Sequence, residues 1–217
     1  MAITSYTTLV TACEEWLART GDTTLNSRVP DFITLAEAKF NRLLYFPQME
    51  KRSYTTVTTS SSEPEFITLP SDFQTMRRIR LSSVSGKPKL DFMTGTQADE
   101  YRYSIGNASS QPKYFTIFGT EIELIPTPDS NYTIEMVYRA KISGITSSNT
   151  SNWLLTLAPD LYLYGCLMEA APYIKDDERI AIWASGMHNA LDQLNQLGKK
   201  QAFNSGPLEI RSSGPTP

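Results

Sequence analysis

The 217-residue chain is poor in the residues from which active sites and metal centres are built. It has one histidine, His188, and two cysteines, Cys13 and Cys166. One histidine leaves no His/Cys cluster for zinc and no histidine-based catalytic triad. A Walker-type loop, a GxGxxG fingerprint and a GxSxG motif are also missing from the sequence. We therefore predict that the protein is not an enzyme and needs no cofactor or metal.

The few candidate chemical groups have simpler interpretations. Cys13 and Cys166 lie in apolar helical patterns, which favours buried, reduced thiols over a disulfide or a metal site. His188 follows Met187 in a helical pattern and is interpreted as an ordinary helix residue. The acidic run 176–178 is a cation site in principle, but solvated carboxylates at a helix N-terminus explain it without an ion.

Strong positive charge and membrane-length apolar runs are also lacking. The chain has 20 Lys and Arg against 23 Asp and Glu, which gives no general attraction to nucleic acid. The densest apolar run, 161–171, contains one charged residue, Glu169, whereas a membrane-spanning helix needs about 20 residues. A helix that is apolar on every side must be covered on every side, so we predict a buried central helix, in a core or between subunits. No export signal is visible, and we expect synthesis in a reducing cytoplasm without a membrane partner.

Apolar residues at helical spacing predict two helices near the N-terminus. Ser5 is suited to cap the first, which runs to about Ala18. Pro30 suits the first position of the second helix, and Pro47 stops its apolar pattern. We expect the two helices to pair through their apolar faces.

Two further helices are predicted near the other end of the chain. Pro159 suits the first position of the central helix, which Pro172 should end or kink. The last helix begins around Asp176 and ends at Gly198, which two lysines follow. Residues 199–217 have no periodicity and much Gly, Ser and Pro, so they are predicted to form an extended arm.

Between the two helical regions the pattern changes to short strands. The clearest hairpin joins strands 113–118 and 121–125 through a two-residue Gly-Thr loop, with glycine first as a type II′ turn requires. Apolar residues alternate with glutamates in the second of these strands, so one face should be buried and the other wet. The region 52–142 is therefore predicted to be an antiparallel β-domain.

Three arginines, Arg77, Arg78 and Arg80, fall within four positions of one predicted strand. Successive strand residues point to opposite faces, so we expect at least one arginine on a face that is otherwise buried or contacted. Phosphate contact is one interpretation, but aromatic residues are not interleaved with them as in a single-strand-binding groove. Pairing with a partner or a second subunit is favoured over nucleic-acid contact.

Together these patterns predict an α+β fold. Two N-terminal and two C-terminal helices form a helical bundle, an antiparallel β-domain is inserted between them, and an extended C-terminal arm follows. The predicted boundaries are 1–51 for the N-terminal helices, 52–142 for the β-domain, 143–198 for the C-terminal helices and 199–217 for the arm.

Five stretches resemble a known family. They are 39–55 (KFNRLLYFPQMEKRSYT), 66–73 (FITLPSDF), 114–128 (YFTIFGTEIELIPTP), 132–141 (YTIEMVYRAK) and 152–177. In their order and in their sequences they are similar to the head-to-tail adaptor (connector or head-completion) proteins of tailed bacteriophages. These proteins in turn resemble the tubular adaptor proteins of short-tailed phages. None of the stretches encodes a catalytic motif, so the resemblance is one of pattern.

The resemblance implies a structural protein of the virion, at the head-to-tail junction. Adaptors of this kind assemble into rings, usually twelvefold, under the portal protein. Double-stranded DNA passes through the central channel without sequence-specific binding, and tail or nozzle proteins dock below. The helical part builds the ring wall, and C-terminal arms often reach the portal.

Two sets of residues are predicted to carry this assembly. The candidate subunit interface consists of Trp153, Leu161, Leu163, Tyr164, Arg77, Arg78 and Arg80. The candidate portal-binding arm consists of Leu208, Glu209, Ile210 and Arg211. The serine-rich loop 59–63 is interpreted either as a tip that contacts a tail protein or as a plain solvent loop.

A different class of function remains as an alternative. The β-domain could be the ligand face of a carbohydrate-binding or carbohydrate-hydrolysing module, with tyrosines as stacking surfaces. The candidate tyrosines are Tyr101, Tyr103, Tyr114 and Tyr132. A monomer that binds glycans would favour this alternative, whereas a ring or a portal-dependent assembly favours the adaptor.

Overall fold

The computed structural model describes residues 2–175 and 177–202. The chain divides into two compact units. The helical unit consists of Met1–Pro47 with Ile142–Pro217, and the β-rich unit consists of Gln48–Lys141. Six α-helices and seven strands within the described residues confirm the predicted α+β class.

The elements follow in the order expected for a β-rich segment placed between helices. The helices are α1 (Tyr6–Trp16), α2 (Thr23–Leu43), α3 (Gly95–Ser104), α4 (Trp153–Leu157), α5 (Pro159–Ile174) and α6 (Asp177–Ala202). The strands are β1 (Glu50–Val57), β2 (Phe66–Thr68), β3 (Phe73–Leu81), β4 (Asp91–Phe92), β5 (Tyr114–Phe118), β6 (Glu121–Ile125) and β7 (Tyr132–Ala140).

The start of α2 differs from the prediction. Ser5 caps α1 as expected, but α2 begins well before Pro30, which lies inside the helix. The reason is a second cap: Asp22 accepts hydrogen bonds from the backbone N–H groups of Thr24 and Leu25 at 3.0 and 3.1 Å. These bonds satisfy N–H groups that the first turn leaves unpaired, so the helix starts at the aspartate and not at the proline.

Helix α5 is the centre of the helical unit. It packs against α1, α2 and α6, and eight of the eleven residues 161–171 are buried. Gly165 permits the approach of α2, because a Cβ at this position would lie 2.6 Å from Cζ of Phe40. The prediction of a buried central helix is confirmed.

The predicted end of α6 is wrong, and of the two outcomes expected at Pro172, an end or a kink, the end does not occur. Helix α5 continues past Pro172 and is capped by Lys175 in the left-handed conformation, with φ of 58°. A proline in the last turn removes one hydrogen bond, which the packing of the helix tolerates. Gly198 lies inside α6, where it permits close packing and does not end the helix: a Cβ there would lie 2.8 Å from the carbonyl oxygen of Tyr45.

The β-rich unit consists of two sheets that share one core. The first sheet is antiparallel with strand order β1-β7-β3. The second has the order β2-β6-β5-β4, in which β4 is parallel to β5. The core side chains come from the inner faces of both sheets and include Val57, Ile67, Ile79, Leu81, Phe115, Ile122, Leu124, Ile134 and Met136.

The hairpin of β5 and β6 forms where predicted, with Gly119 at a φ of 55°. On the outer face of β6, Glu121 is exposed as expected, but Glu123 is buried and forms an ion pair with Arg102 of α3. Tyr101 of the same helix packs edge to face against Tyr114 of β5, with ring centroids 5.3 Å apart. Helix α3 therefore covers part of the outer face of the second sheet.

Candidate functional site

The groups that could support chemistry are scattered. The described residues contain no group of three or more His, Cys, Asp or Glu side chains placed to hold a metal ion. His188 is exposed, and its Nδ1 lies 2.7 Å from the carbonyl oxygen of Ala184. Cys13 and Cys166 are both buried and free, and contact with Cys13, together with burial, raises the pKa of Cys166. None of the described helices is long and apolar enough to cross a membrane.

The three arginines of β3 lie on one face of the first sheet. A bulge between Met76 and Arg78 lets β3 place two residues opposite one residue of β7. Arg77 consequently reaches across to Glu50, which shares the outer face with Arg78 and Arg80. The expectation that successive arginines point to opposite faces is wrong, because the extra residue of the bulge breaks the alternation.

Register places further charges on this outer face, which we call the arginine face. Arg52 and Arg78 both lie opposite Val137, Arg80 lies opposite Glu135, and Glu50 lies opposite Arg139. The charged members of the arginine face are Arg52, Arg77, Arg78, Arg80, Arg139, Glu50 and Glu135.

Glu135 is the centre of the arginine face. Its side chain is 2% exposed and accepts hydrogen bonds from Arg80 Nε and Nη2 at 2.8 to 2.9 Å. This bidentate contact is the stronger form of an arginine–carboxylate pair. The hydrogen bonds from Arg80, joined by the charges of Arg80, Arg52 and Arg78, hold the pKa of Glu135 below its ordinary value. The carboxylate therefore stays ionised and fixes the centre of the face.

Three of the other arginines are more accessible. Arg78 is 49% exposed, with Nη2 3.5 Å from the Glu135 carboxylate. Arg77 Nε donates to Glu50 at 2.9 Å. Arg52 is exposed and lies over the ring of Tyr54, 5.3 Å from its centroid. The face thus presents guanidinium groups that are held in place and still open to a partner.

The apolar members of the predicted interface have two kinds of environment. Leu161 and Leu163 are buried in the core of the helical unit. Trp153 is partly exposed and stacks on Phe46, with centroids 5.5 Å apart. Tyr164 is also partly exposed. Of these four candidates, the two aromatic residues are the ones that reach the surface of the helical unit.

Tyr164 belongs to an aromatic contact that sequence patterns did not indicate. Its ring lies edge to face against Trp16 of α1, with centroids 6.1 Å apart. On the α6 side, a Cβ at Gly186 would lie 3.0 Å from the same ring. Trp16 remains 49% exposed, so an indole is held at the surface by the central helix.

A buried polar network was also missed. Glu37 of α2 accepts hydrogen bonds from the backbone N–H of Ile145 at 2.8 Å and from the Tyr162 hydroxyl at 2.9 Å. Asn152 donates to the same hydroxyl at 2.7 Å and to the carbonyl oxygen of Ser143 at 2.7 Å. Burial raises the pKa of Glu37. The network anchors the segment that follows β7 to α2 and α5, and no sequence motif marks it.

The comparison with protein families covers both units. The family model described as SU10 adaptor protein matches residues 4–211. The chain belongs to the SU10 adaptor protein family. This match confirms the resemblance to phage head-to-tail adaptors and supports a structural adaptor role. No curated protein gives a significant match.

The remaining predicted positions are placed as follows. Thr59, at the start of the serine-rich loop, donates its N–H to Asn131 at 3.0 Å. Tyr103 is 89% exposed, whereas Tyr132 donates its hydroxyl proton to Asp129 at 2.6 Å. The rings of Tyr101 and Tyr114 pack against each other. This arrangement does not support the four tyrosines as one carbohydrate-binding surface.

The predicted portal-binding residues lie outside the described residues: Leu208, Glu209, Ile210 and Arg211.

Proposed function

We propose that the chain forms a twelvefold ring between the portal and the tail of a bacteriophage. The ring lines the channel for double-stranded DNA and provides the docking platform for tail or nozzle proteins. The family match over residues 4–211 carries this proposal. The predicted domains keep their roles in it, with residues 1–51 and 143–198 as the helical ring wall and 52–142 as the inserted β-domain.

The ring wall needs an apolar contact between neighbouring copies. Trp153, Tyr164 and the exposed ring of Trp16 supply candidate contact surface on the helical unit. Aromatic residues with one buried side and one open side are frequent anchors of interfaces. Leu161 and Leu163 support this surface from the core, since neither has a side chain at the surface. Arg77, Arg78 and Arg80 form a second, charged contact.

The arm is proposed to bind the portal. Leu208 and Ile210 are its apolar anchors, and Glu209 and Arg211 are its polar flanks. A segment of this kind orders when it docks on a partner. Deleting residues 206–217 should leave folding intact and abolish portal docking. Docking that survives the deletion would contradict the role of the arm.

The ring itself is tested by negative-stain electron microscopy of the purified chain, alone and mixed with the portal protein of the same phage. Closed rings of uniform diameter on the portal are expected, and class averages give the number of copies. The variant Trp16→Ala should lower ring yield while circular dichroism shows an unchanged fold. A portal mixture without rings would overturn the proposal.

A further inference from the structure

We infer that the arginine face binds carboxylates on the surface of a second copy of the chain. This inference rests on the proposed ring and names the chemistry of one of its contacts. The arginine face holds five guanidinium groups and two carboxylates, which leaves a surplus of three positive charges. A surplus of this size on one sheet face, in a chain of net charge -3, calls for an anionic partner.

The accessible guanidiniums are already positioned for binding. Arg78 is half exposed and is held near the ionised Glu135. Arg52 is exposed and rests on Tyr54. Because these side chains are held by neighbours, less conformational entropy is lost when a carboxylate docks between them. The planar fork of arginine also matches a carboxylate with two parallel hydrogen bonds.

A protein carboxylate suits this face better than a nucleic-acid backbone. Glu50 and Glu135 lie among the arginines. Fixed carboxylates repel a DNA backbone, which carries a charge about every 1.7 Å along the helix axis. A folded partner can instead place a few carboxylates opposite the arginines and none opposite the glutamates. The mixed charge pattern therefore favours a protein surface.

Charge distribution along the chain points to a second copy. Residues 48–141 contain equal numbers of basic and acidic residues, so the net charge of -3 belongs to the segments that form the helical unit. A ring of identical copies closes through two different surfaces, one from each neighbour. The arginine face is one such surface. We place the other on the helical unit, where the exposed carboxylates include Glu15, Asp160, Glu178 and Asp192.

Sedimentation velocity tests this inference with a charge-matched pair of variants. The double variant Arg52→Gln/Arg78→Gln removes two accessible charges and spares Arg80, which neutralises Glu135. The control Lys87→Gln/Lys113→Gln removes two exposed charges elsewhere in the β-rich unit. We expect self-association of the wild-type chain at about 50 mM salt, weakened at about 500 mM because the screening length shortens. The arginine variant should associate roughly tenfold more weakly than the control.

The outcomes separate this inference from the proposed ring. Rings that form equally well with the arginine variant and at high salt would overturn the inference and leave the ring proposal standing. Failure of the wild-type chain to associate under any of these conditions, with or without the portal, would overturn both. A fluorescent duplex DNA serves as the competing ligand: saturable binding that the arginine variant loses and the control keeps would assign the face to nucleic acid and overturn the inference.

Discussion

At the scale of single residues, Glu37 links the stability of the helical unit to pH. Burial raises its pKa, so the folded chain holds this proton more tightly than the unfolded chain. The contribution of Glu37 to the free energy of unfolding is therefore greatest below the ordinary glutamate pKa. It falls as pH rises through the pKa that Glu37 has in the folded chain. At neutral pH the hydrogen bonds from Ile145 and Tyr162 offset part of the cost of burying the charge.

We predict that Glu37→Gln removes this pH dependence. The amide oxygen still accepts from Ile145 and Tyr162, so the free energy of unfolding at pH 7 should stay within about 1 kcal/mol of wild type. Urea unfolding at a series of pH values from 4 to about 8 measures the slope. The exposed carboxyl variant Glu15→Gln is the control and should keep the wild-type slope. Equal slopes for wild type and Glu37→Gln would refute the linkage.

Gly165 sets the distance between α5 and α2. In an exposed helix, glycine to alanine stabilises by about 1 kcal/mol, but here the new methyl group would lie 2.6 Å from the Phe40 ring. We predict that Gly165→Ala lowers the free energy of unfolding by about 1–3 kcal/mol, because overpacking outweighs helix propensity. Urea unfolding measures the change, with Ser185→Ala on the exposed side of α6 as the matched control. A Gly165→Ala variant as stable as wild type would show that α2 shifts at little cost.

At the scale of elements, the sequence correctly predicts the features that depend on residues close together in the chain. Ser5 accounts for the cap of α1, and Gly119 accounts for the turn of the β5–β6 hairpin. A run of apolar residues accounts for the burial of α5. The errors arise where packing overrides a local signal. Gly198 looks like a helix end, yet it is small because Tyr45 approaches it. Glu123 alternates with apolar residues and is therefore predicted to face solvent, but it is buried and paired with Arg102 of α3.

The arginine face was also only partly predictable, because it is assembled from residues that are distant in the sequence. The sequence identified Arg77, Arg78 and Arg80 as contact residues but misjudged their directions, since a bulge has no signature in one sequence. Their neighbours Arg52 and Glu135 come from other strands, so only the strand register brings them together. The Glu37 network was missed for the same reason, since Glu37 lies more than a hundred positions from both Ile145 and Tyr162.

The pair of Arg80 and Glu135 gives the first sheet a testable pH dependence. The pKa of Glu135 is lowered by Arg80, so this contribution to stability is present above the unfolded-state pKa and is lost as pH falls through the folded-state pKa. We predict that Arg80→Gln lowers the urea midpoint at pH 7 and that the loss shrinks in acid. The double variant Arg80→Gln/Glu135→Gln should be more stable than Arg80→Gln alone, because it leaves no uncompensated carboxylate. Purely additive effects in this double-mutant cycle would contradict the coupling.

At the scale of the whole molecule, the β-rich unit has the properties of an insertion. It is one continuous segment, Gln48–Lys141, and its core side chains all come from that segment. The first and last strands pair, with Glu50 opposite Arg139, so the segment enters and leaves at neighbouring points. A closed core and adjacent ends are what a segment needs to fold by itself.

We therefore predict that residues 48–141, expressed alone, fold cooperatively. The fragment should show a single urea transition by circular dichroism and by the fluorescence of its tyrosines, with coincident midpoints. Leu81 is fully buried in the core, so the fragment carrying Leu81→Asp should lose the transition, because an unpaired charge cannot be accommodated there. Lys87→Gln, an exposed change in the same fragment, should leave the midpoint unchanged. A wild-type fragment that unfolds without a cooperative transition would mean that the β-rich unit depends on the remainder of the chain for its fold.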